Sequence, residues 1–377
     1  MAGIYIHIPF CKQKCNYCDF YSITSFHKKE ELLTALNKEL IIRKDYLKNE
    51  LIDTIYFGGG TPSLLNMQDV GDILTTINDN YSVSKNPEIT IEVNPDDVSF
   101  EYFKDLIKLG IKRLSIGIQS FNDNALEFLN RRHSSNQAIE AVENAQKAGF
   151  KNISIDLIYG IPCMSFETWT RSINTAISLN IQHISAYHLS IEKNTPLFKM
   201  LSKNEIAIIN ENESFKQFSK LVEMVKQEGF EHYEISNFAK KNFYSQHNSN
   251  YWKQEKYIGI GPSAHSFNLK SRQWNVSNIS QYIDFTNTDK KFYSTEILTK
   301  DQKYNDYIIT ALRTIWGIDL TYIENNFGTK YHKLCIKQYE KYIDAEHIIF
   351  ENNKLTLSVE GMFISDTIIS EMLYINK

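Results

Sequence analysis

The sequence has no excess of positive charge: 41 Lys and Arg stand against 45 Asp and Glu, a net charge of -4. That balance excludes the broad basic surface on which nucleic-acid affinity rests, so no nucleic-acid partner is expected. No apolar run approaches the roughly 18 residues of a membrane span. Met1 to Phe10 lacks both a basic segment and a small-residue cleavage site, which argues against a signal peptide and for a cytoplasmic protein. Cysteine is scarce and odd in number, with five in the chain. A disulfide framework is therefore not expected, and reduced thiols are. What is present is an ordinary globular balance, 42% hydrophobic and 23% charged. At 377 residues the chain suits one large domain with an appendage.

Short apolar, β-rich runs alternate with helical stretches through the first half. The runs are Gly3 to Ile8, Thr54 to Phe57, Glu88 to Val93, Arg113 to Ile118, Ile153 to Ile158 and His183 to Leu189. Between them lie segments with helical spacing, such as Leu32, Leu33, Leu36 and Leu40. Strands alternating with helices read as βαβ units around a parallel sheet, and near-continuous apolar strands fit burial on both faces. Six units predict an α/β fold built on an incomplete (β/α)6 barrel, with ligands at the C-terminal strand ends. Residues 1–230 are assigned to this barrel. Residues 231–292, a helical stretch from Glu205 to Gln227 having ended, read as a mainly polar extension. Residues 293–377 combine helices with a hairpin around Asn352-Asn353, and read as a small winged-helix-like α+β domain.

Three cysteines, Cys11, Cys15 and Cys18, fall within eight residues directly after the first strand. Three thiolates do not close a tetrahedral zinc site, and His7, a candidate fourth ligand, lies on the strand itself. Three do suit a [4Fe-4S] cluster that leaves one iron open. An open iron can take the amino and carboxylate groups of S-adenosylmethionine, whose chemistry then belongs to the cofactor. Cys163 and Cys335 stand apart as ordinary thiols.

On this CxxxCxxC spacing, and on the stretch Tyr5-Ile-His-Ile-Pro-Phe-Cys11, the chain resembles the radical S-adenosylmethionine superfamily, in its oxygen-independent coproporphyrinogen III oxidase-like branch. The glycine-rich turn Gly58-Gly59-Gly60-Thr61 would by itself fit a tight reversal as well as a ligand site. The resemblance implies that Gly59, Gly60 and Thr61 meet the amino end of S-adenosylmethionine. Glu92, Gln119, Arg131 and Asp156 are polar groups at or near strand ends, where burial is costly unless they are paired or hold a ligand. The resemblance implies cofactor contacts for all four, and for Tyr5 beside the cluster.

The branch holds an enzyme that oxidatively decarboxylates coproporphyrinogen III and a group of heme chaperones. The enzyme's motif continues to a fourth cysteine, where this chain has Phe20, and the segment the enzyme places ahead of its first strand is missing here. His247-Asn-Ser-Asn-Tyr251-Trp252 resembles the HNxxYW motif of the chaperone group. The resemblance implies heme as a ligand through His247, since imidazole is a standard axial ligand, with aromatic surface from Tyr251 and Trp252. It also implies delivery of heme to acceptor proteins such as membrane-bound respiratory enzymes, a homodimer, and no decarboxylase turnover. The alternative is the dehydrogenase activity itself. His265, in the downstream Tyr257 to His265 stretch, is a poorer candidate than His247, at most a second porphyrin contact, and is not assigned a role.

Overall fold

The computed structural model describes residues 1–288 and 290–375. The expected strands are all present: β1 (Ala2–Ile8), β2 (Ile52–Gly59), β3 (Val83–Val93), β4 (Arg113–Gln119), β5 (Asn152–Tyr159) and β6 (His183–His188). They pair in sequence order and in parallel. Their inward and outward residues are both covered, which is why Ile4, Ile6, Ile8, Ile91, Leu114, Ile116, Ile153 and Ile155 are buried in near-continuous runs. β3 begins five residues earlier than its apolar run. Its register against β2 jumps from Val83 to Glu88 across Pro87, which has no N–H to place in the ladder.

The intervening helices are capped by their own side chains, except Lys29–Ile42. Ser134 and Gln137 form a reciprocal capping box at the start of Ser135–Ala148, and Gly149 ends that helix at φ 115°. Asn66 and Asp69 do the same for Met67–Asn80.

The extension does not stand apart from the barrel. β7 (Phe230–Glu234) and β8 (Asn237–Lys240) add to the β6 edge, while β9 (Lys256–Ile260), β10 (His265–Phe267), β11 (Ser271–Asn275) and β12 (Tyr293–Ile297) add to the β1 edge. β9 runs parallel to β1, so the parallel core has seven strands among the described residues, one more than the six counted from the sequence. β9 was missed because its five residues, a glycine among them, carry too little period to mark a strand. β12 pairs with β11, which moves the start of the small C-terminal unit from residue 293 to the helix Lys300–Ala311.

A buried ion pair fastens the β1-side flank. Glu39, fully buried on the helix Lys29–Ile42, takes hydrogen bonds from Arg43 at 2.9 Å, Asn275 at 2.9 Å, the Gly261 amide at 2.8 Å and the Tyr282 hydroxyl. Arg43 also donates to Gly259 O, Ser266 Oγ and Gln273 Oε1, which lie on β9, β10 and β11. With this many partners the charges are satisfied rather than stranded.

The C-terminal unit follows the order helix, strand, helix, helix, strand, strand, with β13 (Ile318–Asp319), β14 (Ile348–Glu351) and β15 (Lys354–Leu357) forming a separate antiparallel sheet. The chain closes with two short helices, Val359–Phe363 and Ser365–Met372. Ser358 caps the first by accepting from the Gly361 amide.

Candidate functional site

The cysteine loop leaves β1 at its C-terminal end and is held at its base by backbone bonds from Cys11 N to Ile23 O and from Ile23 N to Pro9 O. Farther out, Asn16 N reaches Leu129 O at 3.1 Å, and Gln13 Nε2 reaches Asn130 O at 3.0 Å. The loop is therefore fastened to the turn that follows the short helix Asp123–Phe128 rather than left free. All three of its cysteines are free thiols, partly buried.

The three thiols face a cavity of about 560 Å³ at the C-terminal ends of the strands. Gly59, Gly60, Thr61, Glu92, Gln119, Arg131 and Asp156 line the same cavity, so ten of the twelve residues singled out from the sequence converge there. Gly60 is required by close approach: a Cβ there would lie 2.7 Å from Phe10 O and 2.9 Å from Ile8 O, both immovable backbone. Gly59 has φ 112°, and its amide donates to Glu92 Oε2 at 3.1 Å. Gln119 sits at φ 68°, where the β4–β5 register slips, and this turns its side chain into the cavity.

Two donors point at sulfur. Thr61 Oγ1 lies 3.5 Å from Cys11 Sγ, and an Arg131 guanidinium nitrogen lies 3.3 Å from Cys15 Sγ. The other end of the Arg131 fork donates to Asn94 Oδ1 and Gly117 O, each at 2.6 Å. Arg131 rather than Arg132 is thus the cavity residue. Arg132 instead pairs with Asp96 and Asp97. Burial pushes the Glu92 carboxyl up to about 7, against the bond from Tyr56 at 2.9 Å and with the added repulsion of Asp156. Burial also raises Asp156, against bonds from Ser185 and Ser115.

These groups fit an iron–sulfur cluster. Three thiolates match a cluster whose fourth iron stays open, whereas a structural zinc site takes four protein ligands. Reduced thiols with hydrogen-bond donors at their sulfurs are the cluster's usual setting.

Sequence reasoning missed Asn94, Ser115 and Gly117, which also line the cavity. The signal was available in the strand period. Ser115, Gly117 and Gln119 share one face of β4, and Asn94 follows Glu92 at the same interval.

Tyr5 and His247 are placed elsewhere. Tyr5 lines a second cavity, of about 550 Å³, whose wall is largely aromatic: Phe20, Tyr21, Tyr251, Trp252, Tyr257 and Phe267. Phe20, 71% exposed, lines both cavities and so stands between them. His247 is not in a polar loop. It lies on the helix Gln246–Trp252, capped by Ser245, in a stretch too short to show a helical period. It is 2% exposed, with Nδ1 2.8 Å from Thr54 Oγ1 and Nε2 2.8 Å from the Tyr251 hydroxyl. Gly3 makes room for it, since a Cβ there would lie 3.1 Å from the imidazole. Burial, with the Arg113 charge adding to it, lowers its pKa to about 3, so the ring is neutral. Both ring nitrogens are engaged, and neither is free for iron.

The family model described as the radical SAM superfamily matches residues 5–176. The heme chaperone HemW of Lactococcus lactis is 30% identical, over 98% of this chain and 96% of its own length. That of Bacillus subtilis is 34% identical, over 88% of this chain and 87% of its own. This chain belongs to the radical SAM superfamily, in the HemN-like branch that includes HemW. The structure of coproporphyrinogen III oxidase (HemN) from Escherichia coli superposes with a TM-score of 0.85, covering 98% of this chain and 89% of that one. At 20% identity that likeness establishes the shared fold alone. A [4Fe-4S] cluster and S-adenosylmethionine are general to the superfamily. No helix among the described residues is long and apolar enough to cross a membrane.

Proposed function

We propose that this protein is a heme chaperone: it takes heme into the aromatic cavity and passes it to heme-dependent respiratory proteins, with the cluster cavity alongside. The observation that carries the reading is the aromatic cavity itself. Its volume suits a large planar ligand, its wall is aromatic, and it adjoins the cysteine loop through Phe20. The relatives named as heme chaperones, matched along nearly the whole chain, support the same ligand.

In this reading Cys11, Cys15 and Cys18 hold the cluster. Gly59, Gly60 and Thr61 receive the amino end of S-adenosylmethionine, and Glu92, Gln119, Arg131 and Asp156 contact the rest of it. Bound there, the pair supplies one-electron chemistry. The chain's own part is positional. Arg131 and Thr61 donate to thiolate sulfur, and the Arg131 bonds to Asn94 and Gly117 keep its fork aimed. Phe20 closes the wall toward the porphyrin, where the fourth cysteine of the enzyme motif would stand.

The test is twofold. Anaerobically purified protein is expected to hold about four irons and four sulfides per chain and to shift the Soret band of added heme. Incubation with coproporphyrinogen III, S-adenosylmethionine and a reductant is expected to leave the propionates intact. A vinyl-bearing product would overturn the chaperone reading in favour of the dehydrogenase.

A further inference from the structure

Three histidines stand in or against the aromatic cavity, and they differ in what their ring nitrogens already do. His7 is buried, with Nδ1 3.1 Å from the Tyr5 hydroxyl and Nε2 3.0 Å from Tyr21 O. His247 is buried behind the wall, with both nitrogens held as described above. His265, the first residue of β10, lines the cavity and is exposed. Among the described residues neither of its ring nitrogens has a hydrogen-bond partner, and its ring lies 6.4 Å from that of Trp274 in a stacked arrangement.

The other donors on the wall are poorer. The Tyr5 and Tyr251 hydroxyls are taken by His7 and His247. The Tyr257 hydroxyl is pushed up to about 12, chiefly by burial, and so does not become a tyrosinate. The wall has no cysteine, methionine or lysine. Surrounding protein first, and the Arg272 charge second, lower the pKa of His265 and leave its imidazole neutral, the form that binds iron.

We infer that His265 is the axial ligand to heme iron in this cavity, and that His247 is a positioning residue acting through Tyr251. The inference rests on the chaperone reading and deepens it. Coordination forms one bond between an imidazole nitrogen and iron, displaces a water or hydroxide, and leaves the iron's oxidation state unchanged. The His247 imidazole fixes the Tyr251 hydroxyl, and the Tyr251 ring packs edge-on against Tyr257 at 4.5 Å, which keeps the cavity wall upright beside the porphyrin. His265 in turn is set by β10, which the buried Arg43 holds through Ser266.

Ferric heme added to the cluster-containing protein, followed by difference absorption and low-temperature electron paramagnetic resonance, separates the outcomes. Wild type is expected to show histidine-ligated heme. His265→Ala is expected to lose that signature and to bind heme at least about tenfold more weakly. His265→Gly with added imidazole is expected to recover the wild-type spectrum, which a merely structural histidine would not allow. His247→Ala is expected to keep histidine ligation. A wild-type spectrum in His265→Ala, or loss of histidine ligation in His247→Ala with His265 intact, would overturn the assignment while leaving the chaperone reading standing. No Soret shift in wild type would remove that reading itself.

Discussion

Glu92 illustrates how a single residue is legible in part. Its place in the apolar run Ile89 to Val93 marks it as either paired or functional, and the structure makes it both. It accepts from Tyr56 and from the Gly59 amide while lining the cluster cavity. Its pKa rises from 4.5 to about 7 because burial outweighs those two bonds. A carboxyl that holds its proton more tightly when folded contributes stability that is full below the unfolded value and is lost as pH rises through the folded one. Glu92→Gln stays neutral throughout. Its stability relative to wild type is therefore expected to rise as pH goes from about 5 to about 8, measured as the difference in urea midpoints of the cluster-free proteins. A difference that does not change with pH would show that this carboxyl titrates normally. His247 is the opposite case. The residues around it pointed to heme, but no property of the sequence said that both nitrogens were already committed.

Elements were legible in proportion to their length and period. β1 to β6 and the longer helices follow directly from apolar spacing. β8, β9 and the helix Gln246–Trp252 do not, because four, five and seven residues hold too little periodicity to separate them from loop. What fixes β9 to β11 beside β1 is the Glu39–Arg43 pair, whose two members are four residues apart on and after one helix and would read from sequence as a solvent-exposed pair. Arg43→Met would leave Glu39 buried without its cation, at a cost of about 3–5 kcal/mol. Chemical denaturation is expected to register that loss. A change under about 1 kcal/mol would mean the flank is held by its ladder bonds instead.

At the scale of the molecule, the aromatic cavity is a joint product of units far apart in sequence. Tyr5 and His7 come from β1, Tyr251 and Trp252 from the short helix, and Asp306, Ile309 and Thr310 from the first helix of the C-terminal unit. Arg272 of β11 pairs with Asp306 across the joint. The C-terminal unit, winged-helix-like in element order, here contributes a cavity wall. Thr310→Trp is expected to fill the space and weaken heme binding at least about tenfold while iron and sulfide content stay unchanged. Equal loss of both would mean that the substitution unfolds the chain rather than closing the cavity.

By itself the sequence determined the parallel core and the position of the cysteine loop after β1, which follow from apolar period and three close cysteines. It singled out ten of the residues lining the cluster cavity, seven of them through the family resemblance. Only the tertiary structure decided that Tyr5 faces the aromatic cavity, that Phe20 stands between the two cavities, and that His265 rather than His247 presents free imidazole nitrogens. Those facts depend on which residues, distant along the chain, have already taken each other's hydrogen bonds. Spacing along one chain carries no record of that. The scarcity of cysteine and of positive charge excluded disulfides and a basic surface at the outset, and the three clustered thiols then had one cavity to face.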